Sequence, residues 1–203
     1  MCPKIIDKQI KRKEILKAAM KVFAQQGVSC TKMEDVAKEA GIGKGTIYEY
    51  FKSKDEIFRE AFNYFTEQLD IVMASRLYNV YDPIEKLKAL VNGWMEVMQG
   101  TSLDFLEIMI DFWAEGVRRH KDTQMFNLNK MYEEYRGMVE SIIAEGIKQK
   151  QIKSVNIKIA ASILIGAMDG ITLQWILDRE LFDIEEATGI FIQIFLMGLG
   201  LSK

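Results

Sequence analysis

Apolar residues recur along this chain at spacings of three and four, the period of helices that bury one face. Ile15, Leu16, Ala19, Val22 and Phe23 form such a stripe in a helix expected over 7–26, and Gly27 ends it as a left-handed cap. Thr31-Lys32-Met33-Glu34 has the form of a capping box, which predicts a second helix starting just after Thr31 and stopping at Gly41. Gly43-Lys44-Gly45 opens a third helix running through Phe51. Ser53-Lys54-Asp55-Glu56, a second capping box, launches a long fourth helix toward Arg76. Asp82-Pro83-Ile84-Glu85 supplies a cap, a proline at the first helical position and an early glutamate, so a helix is expected to about Gln99. Further helices are expected from Leu103 to about Arg119 and from Thr123 to about Gln149. Asn156 caps one continuing to Asp178, and Asp183 caps the last, ending near Leu199. That makes about nine helices and no convincing strand. The fold class is all-α.

The sharpest local pattern is Glu34–Phe51. A helix-turn-helix needs a small residue where its helices cross, a turn residue tolerant of positive φ four positions on, and apolar residues joining the two helices. Ala37 and Gly41 fill the first two roles, and Val36, Ala40, Ile42 and Ile47 fill the third. Lys44, Gly45, Thr46, Tyr48 and Glu49 then remain unburied at the start of the second helix, where such a unit meets the major groove. Charge agrees: residues 1–60 carry a net +4 and residues 61–203 a net −6, hidden in the overall −2. A basic head on an acidic body suits a nucleic-acid partner.

The string Ala19-Met20-Lys21-Val22-Phe23-Ala24-Gln25-Gln26-Gly27, followed by Asp35–Lys54 with its Gly-Thr-Ile-Tyr and Tyr-Phe-Lys-Ser-Lys runs, closely resembles the tetracycline-repressor (TetR/AcrR) family. The resemblance covers roughly the first quarter of the chain. It implies a three-helix DNA-binding domain over 1–53 and a helical ligand-binding and dimerisation domain over 54–203, with the fourth helix linking them. Gly43 stands where family members often carry serine, which removes a hydroxyl contact while leaving a residue able to cap. Resemblance and chemistry together assign Lys44 and Thr46 to phosphate or base edges, Gly45 to close backbone approach, and Tyr48 to a phosphate or a thymine methyl, with Glu49 beside them. Lys54, at the positive end of the fourth helix, suits a backbone phosphate. Thr31 is expected to cap first and touch DNA second. Tyr50 is either a contact or a packing residue. Lys4, Lys8, Lys11, Arg12 and Lys13 form an N-terminal arm or a solvated helix face.

Between Leu103 and Arg119, Asp104, Glu107, Asp111 and Glu115 fall within an arc of about 80°. Apolar residues, among them Phe105, Met109, Phe112 and Trp113, cover about 220°, wider than one core-facing stripe. Such a helix is buried on two sides or lines a cavity. The family resemblance implies a ligand pocket, for which Trp94, Met98, Phe105, Met109, Phe112, Trp113, Tyr135 and Met168 are the candidates, with Met95, Met125, Phe126, Met131, Tyr132 and Met138 nearby. The implied effector is small and largely apolar; an acidic stripe facing inward would favour cations instead. Asp169, inside an apolar run, is a pocket group or a satisfied helix-pair hydrogen bond.

Ala160, Ala161, Gly166, Ala167 and Gly170 let a second helix approach closely, and the last helix is apolar nearly all round. In the family this chain resembles, the last two helices of each subunit form a four-helix dimer interface, which points to Ala160, Gly166, Gly170, Phe191 and Phe195 in a homodimer.

An enzyme would need a base, a nucleophile or a metal site. The sole histidine, His120, sits in Arg118-Arg119-His120-Lys121, which reads as a solvated helix end, and no phosphate loop or metal-ligand spacing occurs. A helical interaction module without DNA binding is the other alternative, against which the intact Thr31–Lys54 segment stands. No cofactor or metal is expected. Cys2 and Cys30 make no disulfide framework, the N-terminus lacks an apolar signal core, and the longest apolar run, Ile157–Trp175, is interrupted by Lys158 and Asp169. The expectation is a cytoplasmic regulator without a membrane span, bound to double-stranded operator DNA and, as the resemblance implies, repressing rather than activating.

Overall fold

A computed structural model describes residues 3–118 and 127–200, with the side chains of 3–7 and of Arg118 left aside. Among the described residues there are nine helices and no strand: α1 (Pro3–Gln26), α2 (Met33–Glu39), α3 (Lys44–Ile47), α4 (Lys54–Leu77), α5 (Pro83–Gly100), α6 (Leu103–Arg118), α7 (Leu128–Lys148), α8 (Ile157–Leu177) and α9 (Ile184–Gly198). The expected helical start at Thr123 lies outside the described residues, as do His120, Met125, Phe126 and Cys2.

Side-chain caps set most of the starts. The Asp82 carboxylate accepts from the N–H groups of Ile84 (2.9 Å) and Glu85 (3.0 Å), and its pKa is lowered chiefly by the Glu85 amide. Asn156 accepts from Ile159 N–H and Asp183 from Glu186 N–H. Two caps differ from the expected register. In place of the box predicted at Thr31, half of one forms a residue later, with Asp35 accepting from the Lys32 amide at 2.9 Å. Thr31 is instead buried, its hydroxyl donating to the Gly27 carbonyl at 2.9 Å. At α4, Ser53 Oγ accepts from Glu56 N–H as a box requires, but the Glu56 carboxylate reaches back to Lys52 N–H.

The described residues form two compact units. The first takes residues 1–66 together with 101–128, and so groups α6 with α1, on which it packs, with α2 and α3, and with the start of α4. Its centre is aromatic. Phe58 stacks on Phe112 at 4.4 Å, Phe65 on Phe105 at 5.2 Å, and Phe23 meets Phe58 edge-on at 6.1 Å. Burying each such ring contributes about 1.5–3 kcal/mol, and each ring pair about 0.5–1.5 kcal/mol more. The broad apolar arc of α6 is thereby spent: Phe105, Leu106, Ile108, Met109 and Phe112 are all buried.

The second unit takes residues 67–100 and 129–203. In it α9 packs on α5 and α8. Lys86 pairs with Glu145 at 2.6 Å, and Gln151 donates to Asp82 at 2.6 Å. α7 packs closely at its end: a Cβ on Gly146 would lie 2.5 Å from Ile152 Cδ1, so a larger residue there requires Ile152 to shift. α8 has the length and apolarity of a membrane-crossing helix, 21 residues with a mean hydropathy of 1.5, despite Lys158 and Asp169. Ala160, Ala161, Leu164, Met168 and Thr172 bury one face of it, while Ile159 and Ile163 are more than half exposed.

Candidate functional site

The first unit carries the α2–turn–α3 segment. Val36, Ala37 and Ile47 are buried where the two helices meet, whereas Ala40 and Ile42 are half-buried. Gly41 adopts φ +65°, and Ile42 N–H returns to the Ala37 carbonyl at 3.0 Å. This left-handed turn residue lets α3 leave at a sharp angle, a conformation that costs any L side chain. α3 is a single α-helical turn. Hydrogen bonds from Glu49 N–H to Thr46 O and from Phe51 N–H to Ile47 O carry the coiling on to Phe51, which is fully buried and anchors the end.

The surface so presented contains Gly43, Lys44, Gly45, Tyr48 and Glu49, all exposed, with Thr46 and Tyr50 half-buried. Gly43 is the N-cap of α3. A Cβ on Gly45 would meet nothing within 4 Å, so its backbone lies open to a close approach. Lys44 pairs with Glu34 at 3.1 Å, both side chains about two-thirds exposed. Such a surface pair is worth little and is readily exchanged for a phosphate. Tyr50 divides its roles: its carbonyl accepts from Arg12, while its ring lies 6.0 Å from Lys8 Nζ.

Two cations named from the sequence are engaged inside the fold. Arg12 donates to Glu56, Glu60 and the Tyr50 carbonyl and lies 4.1 Å over the Phe51 ring, so it ties α1 to α4. Its hydrogen bond to the Glu60 carboxylate holds its pKa above the ordinary value. Lys54 Nζ donates to the carbonyls of Val28 (2.8 Å), Ser29 (2.8 Å) and Thr31 (3.0 Å). An ammonium has three N–H bonds. All three are committed to the α1–α2 loop, so a phosphate contact by Lys54 would require giving one up. Thr31 is likewise turned inward. The side chain of Lys4 is not among those described, and Lys11 pairs with Glu14.

In the second unit, α4, α5, α7 and α8 surround a cleft holding about 540 Å³ of space between atoms, part of it open to solvent. Trp94, Tyr135 and Met168 line it as the sequence led us to expect, together with Met131, Tyr132 and Met138. Leu69, Met73, Leu90, Val139 and Ile165 also line it and went unnamed; their apolar character does not distinguish them from core. Met98, Phe105, Met109 and Phe112 do not line this cleft: all four are buried, and the three from α6 belong to the first unit. Trp113 is half-buried on α6 and also stands apart from the lining, as do Asp104, Glu107, Asp111 and Glu115. The wide apolar arc of α6 buries Phe105, Leu106, Ile108, Met109 and Phe112, while Leu103, Ile110 and Val117 stay exposed.

The polar ends of the lining aromatics are engaged. Trp94 Nε1 donates to Thr172 Oγ1 at 2.9 Å, Tyr135 OH to Asp70 at 2.7 Å, and Tyr132 OH to Asp169 Oδ2 at 2.7 Å. Burial and then the Asp70 carboxylate push the Tyr135 phenol well above its usual pKa. Asp169 is thus both a cleft residue and a partner of α7, and burial raises its pKa to about 6 against the lowering effect of Tyr132.

On the outer face of α8, Ile159, Ile163, Gly166 and Gly170 follow helical spacing, and a Cβ on either glycine would meet nothing within 4 Å. On α9, Ile190, Ile194 and Met197 are 49%, 59% and 68% exposed. Ala160 and Phe195, named from the sequence for a dimer interface, are buried within the chain. Phe191 is half-buried, with its ring 5.9 Å from that of Phe195.

Comparison with known proteins bears on both units. The sequence pattern described as bacterial regulatory proteins, tetR family, matches residues 15–61. That described as BetI-type transcriptional repressor, C-terminal, matches residues 83–193, more than half the chain. A similar curated protein is the HTH-type transcriptional regulator AcrR of Shigella flexneri, 27% identical over 91% of this chain and 87% of that one. Among solved structures, the transcriptional regulator FadR from Bacillus subtilis in complex with stearoyl-CoA superposes with a TM-score of 0.74 at 21% identity, covering 92% of this chain and 98% of that one. A transcriptional regulator from Saccharomonospora viridis in complex with choline superposes with a TM-score of 0.77 at 21% identity, covering 95% and 98%.

Proposed function

The chain belongs to the tetR family of bacterial regulatory proteins, and from that membership we propose a repressor that binds a near-palindromic operator as a homodimer and releases it when a small, largely apolar effector enters the α4–α5–α7–α8 cleft. As a member of the family it is a DNA-binding transcriptional regulator and not an enzyme. The reader is residues 1–53, the effector-binding and dimerisation part is residues 54–203, and the compartment is the cytoplasm. α4 belongs to both compact units, so it is the covalent path along which the cleft, through Leu69 and Met73, reaches the reader.

The observation that carries this reading is the Gly41 turn, which leaves Gly43–Glu49 projecting from a buried Val36–Ala37–Ile47 seam. Selection of bound sequences from a random DNA pool by the purified protein is expected to return two half-sites one helical turn, about 34–36 Å, apart. A single asymmetric half-site would refute the dimeric reading. Lys44→Ala is expected to weaken binding to every sequence alike and to lower the salt slope by about one. Substitutions of Thr46 or Tyr48 change instead which operator is preferred. An unaltered salt slope for the Lys44 variant would remove that residue from the phosphate contacts.

The dimer explains a helix apolar enough for a membrane in a DNA-binding protein: a second copy covers Ile159, Ile163, Ile190, Ile194 and Met197. Gly166→Leu and Ile194→Glu should both yield monomers in sedimentation, the second because a carboxylate buried at an interface costs several kcal/mol. An intact dimer in both variants would place the interface elsewhere.

The effector is a matter of lining rather than fold, since the neighbours above hold an acyl thioester in one case and a small quaternary cation in the other.

A further inference from the structure

Asp169 is the single carboxylate among the residues lining the cleft. Its Oδ2 is held by the Tyr132 hydroxyl at 2.7 Å, and no cationic group among the described residues acts on it; burial is the dominant influence. We infer that the cleft takes an effector with a cationic ammonium head on an apolar body and that Asp169 is the residue selecting it, an inference that rests on the cleft being the effector site.

Three observations favour the cation over other apolar ligands. First, with a pKa of about 6 the Asp169 carboxyl is mostly ionised at neutral pH, a charge with no counter-ion among the described residues, in surroundings of Met, Leu, Ile and aromatic carbon. A neutral ligand filling the cleft strips remaining water from that charge and offers nothing in return, whereas an ammonium supplies the missing partner. Second, Trp94, Tyr132 and Tyr135 have their N–H and O–H groups engaged at Thr172, Asp169 and Asp70, so the rings meet the cleft with carbon. Ring faces are the electronegative part of an aromatic side chain and attract ammonium groups. Third, the surroundings are acidic. Both Asp70 and Glu134 act electrostatically on Tyr135, and residues 61–203 carry a net −6. A carboxylate ligand would meet repulsion from each of these groups.

The test is calorimetric titration of the full chain at pH 7.5 with three probes sharing one eight-carbon tail: n-octylamine, protonated at that pH, n-octanol and n-octanoate. The wild type is expected to bind octylammonium about tenfold or more tightly than octanol, with octanoate weakest, a ratio equivalent to about one unit of relieved pKa shift. In Asp169→Asn the ratio of octylammonium to octanol affinity should collapse to near one. Equal affinity of the wild type for octylammonium and octanol, or an unchanged ratio in Asp169→Asn, overturns the inference while leaving the cleft as the effector site. The companion variant Ile165→Trp, which fills the cleft from α8, separates the two failures. If it binds all three probes like the wild type, or if the wild type binds none, the cleft is not the effector site and the inference falls with it.

Discussion

Asp169→Asn is expected to stabilise the ligand-free protein at pH 7 by about 2–3 kcal/mol, an effect large for one polar substitution. Burial raises the folded-state pKa of Asp169 from 3.8 to about 6. The native state therefore holds a proton that the unfolded chain has released between about pH 4 and pH 6. Stability falls as pH rises through that window, and above it the full cost of ionising a buried carboxyl is present. Asparagine keeps the acceptor for Tyr132 OH and removes the charge. Urea unfolding at fixed protein concentration should show the gain at pH 7 and its disappearance below pH 4. A difference of equal size at both pH values would mean that ionisation of Asp169 is not its cause. The same substitution that steadies the protein should also blunt its discrimination among ligands.

The second large effect is expected at Lys54. Lys54→Met deletes an ammonium that donates to the carbonyls of Val28, Ser29 and Thr31. Hydrogen bonds to charged groups contribute about 1.5–3 kcal/mol each, but this side chain is partly solvated and water can recover some of the loss. A net destabilisation of about 2–4 kcal/mol follows. Operator affinity should drop as well, because the loop leading into α2 is no longer held against α4. The salt dependence distinguishes the two roles of this lysine: a positioning residue weakens binding at an unchanged salt slope, whereas a phosphate contact takes about 0.9 off the slope. A shallower slope with undiminished stability would return Lys54 to the DNA-contacting set. Lys54→Arg keeps the charge but replaces a point donor with a planar fork, and should rescue only part of the stability.

Local chemistry was the most legible part of this sequence. Asp82, Asn156 and Asp183 each satisfy amides two or three residues downstream, so their effect is written within one helical turn. Gly41 likewise acts on its own backbone. The same reading slipped at Thr31 because two overlapping patterns, Thr31 to Glu34 and Lys32 to Asp35, compete, and the Thr31 hydroxyl is claimed by Gly27. What lay beyond the sequence was which neighbour covers a given face. The apolar arc of α6 was measurable from periodicity, but its aromatic partners Phe58, Phe62 and Phe65 come from a different helix. The charge and position of Lys54 were legible, while its acceptors lie 23 to 26 residues away. The cleft shows both limits together, since Trp94, Tyr135 and Met168 were named and Asp169 was left between two roles that it turns out to combine.

The uncovered isoleucines of α8 and α9 also bear on how the regulator behaves as its amount in the cell changes. A chain whose outer aliphatic face is satisfied by a second copy gains stability by mass action, so its unfolded fraction falls as protomer concentration rises. If paired half-sites need paired protomers, operator occupancy grows with the square of the free subunit concentration when monomers dominate. Halving the dose of the gene would then cost up to three-quarters of the repressing species rather than half of it, giving a threshold in expression level that no contact with DNA encodes.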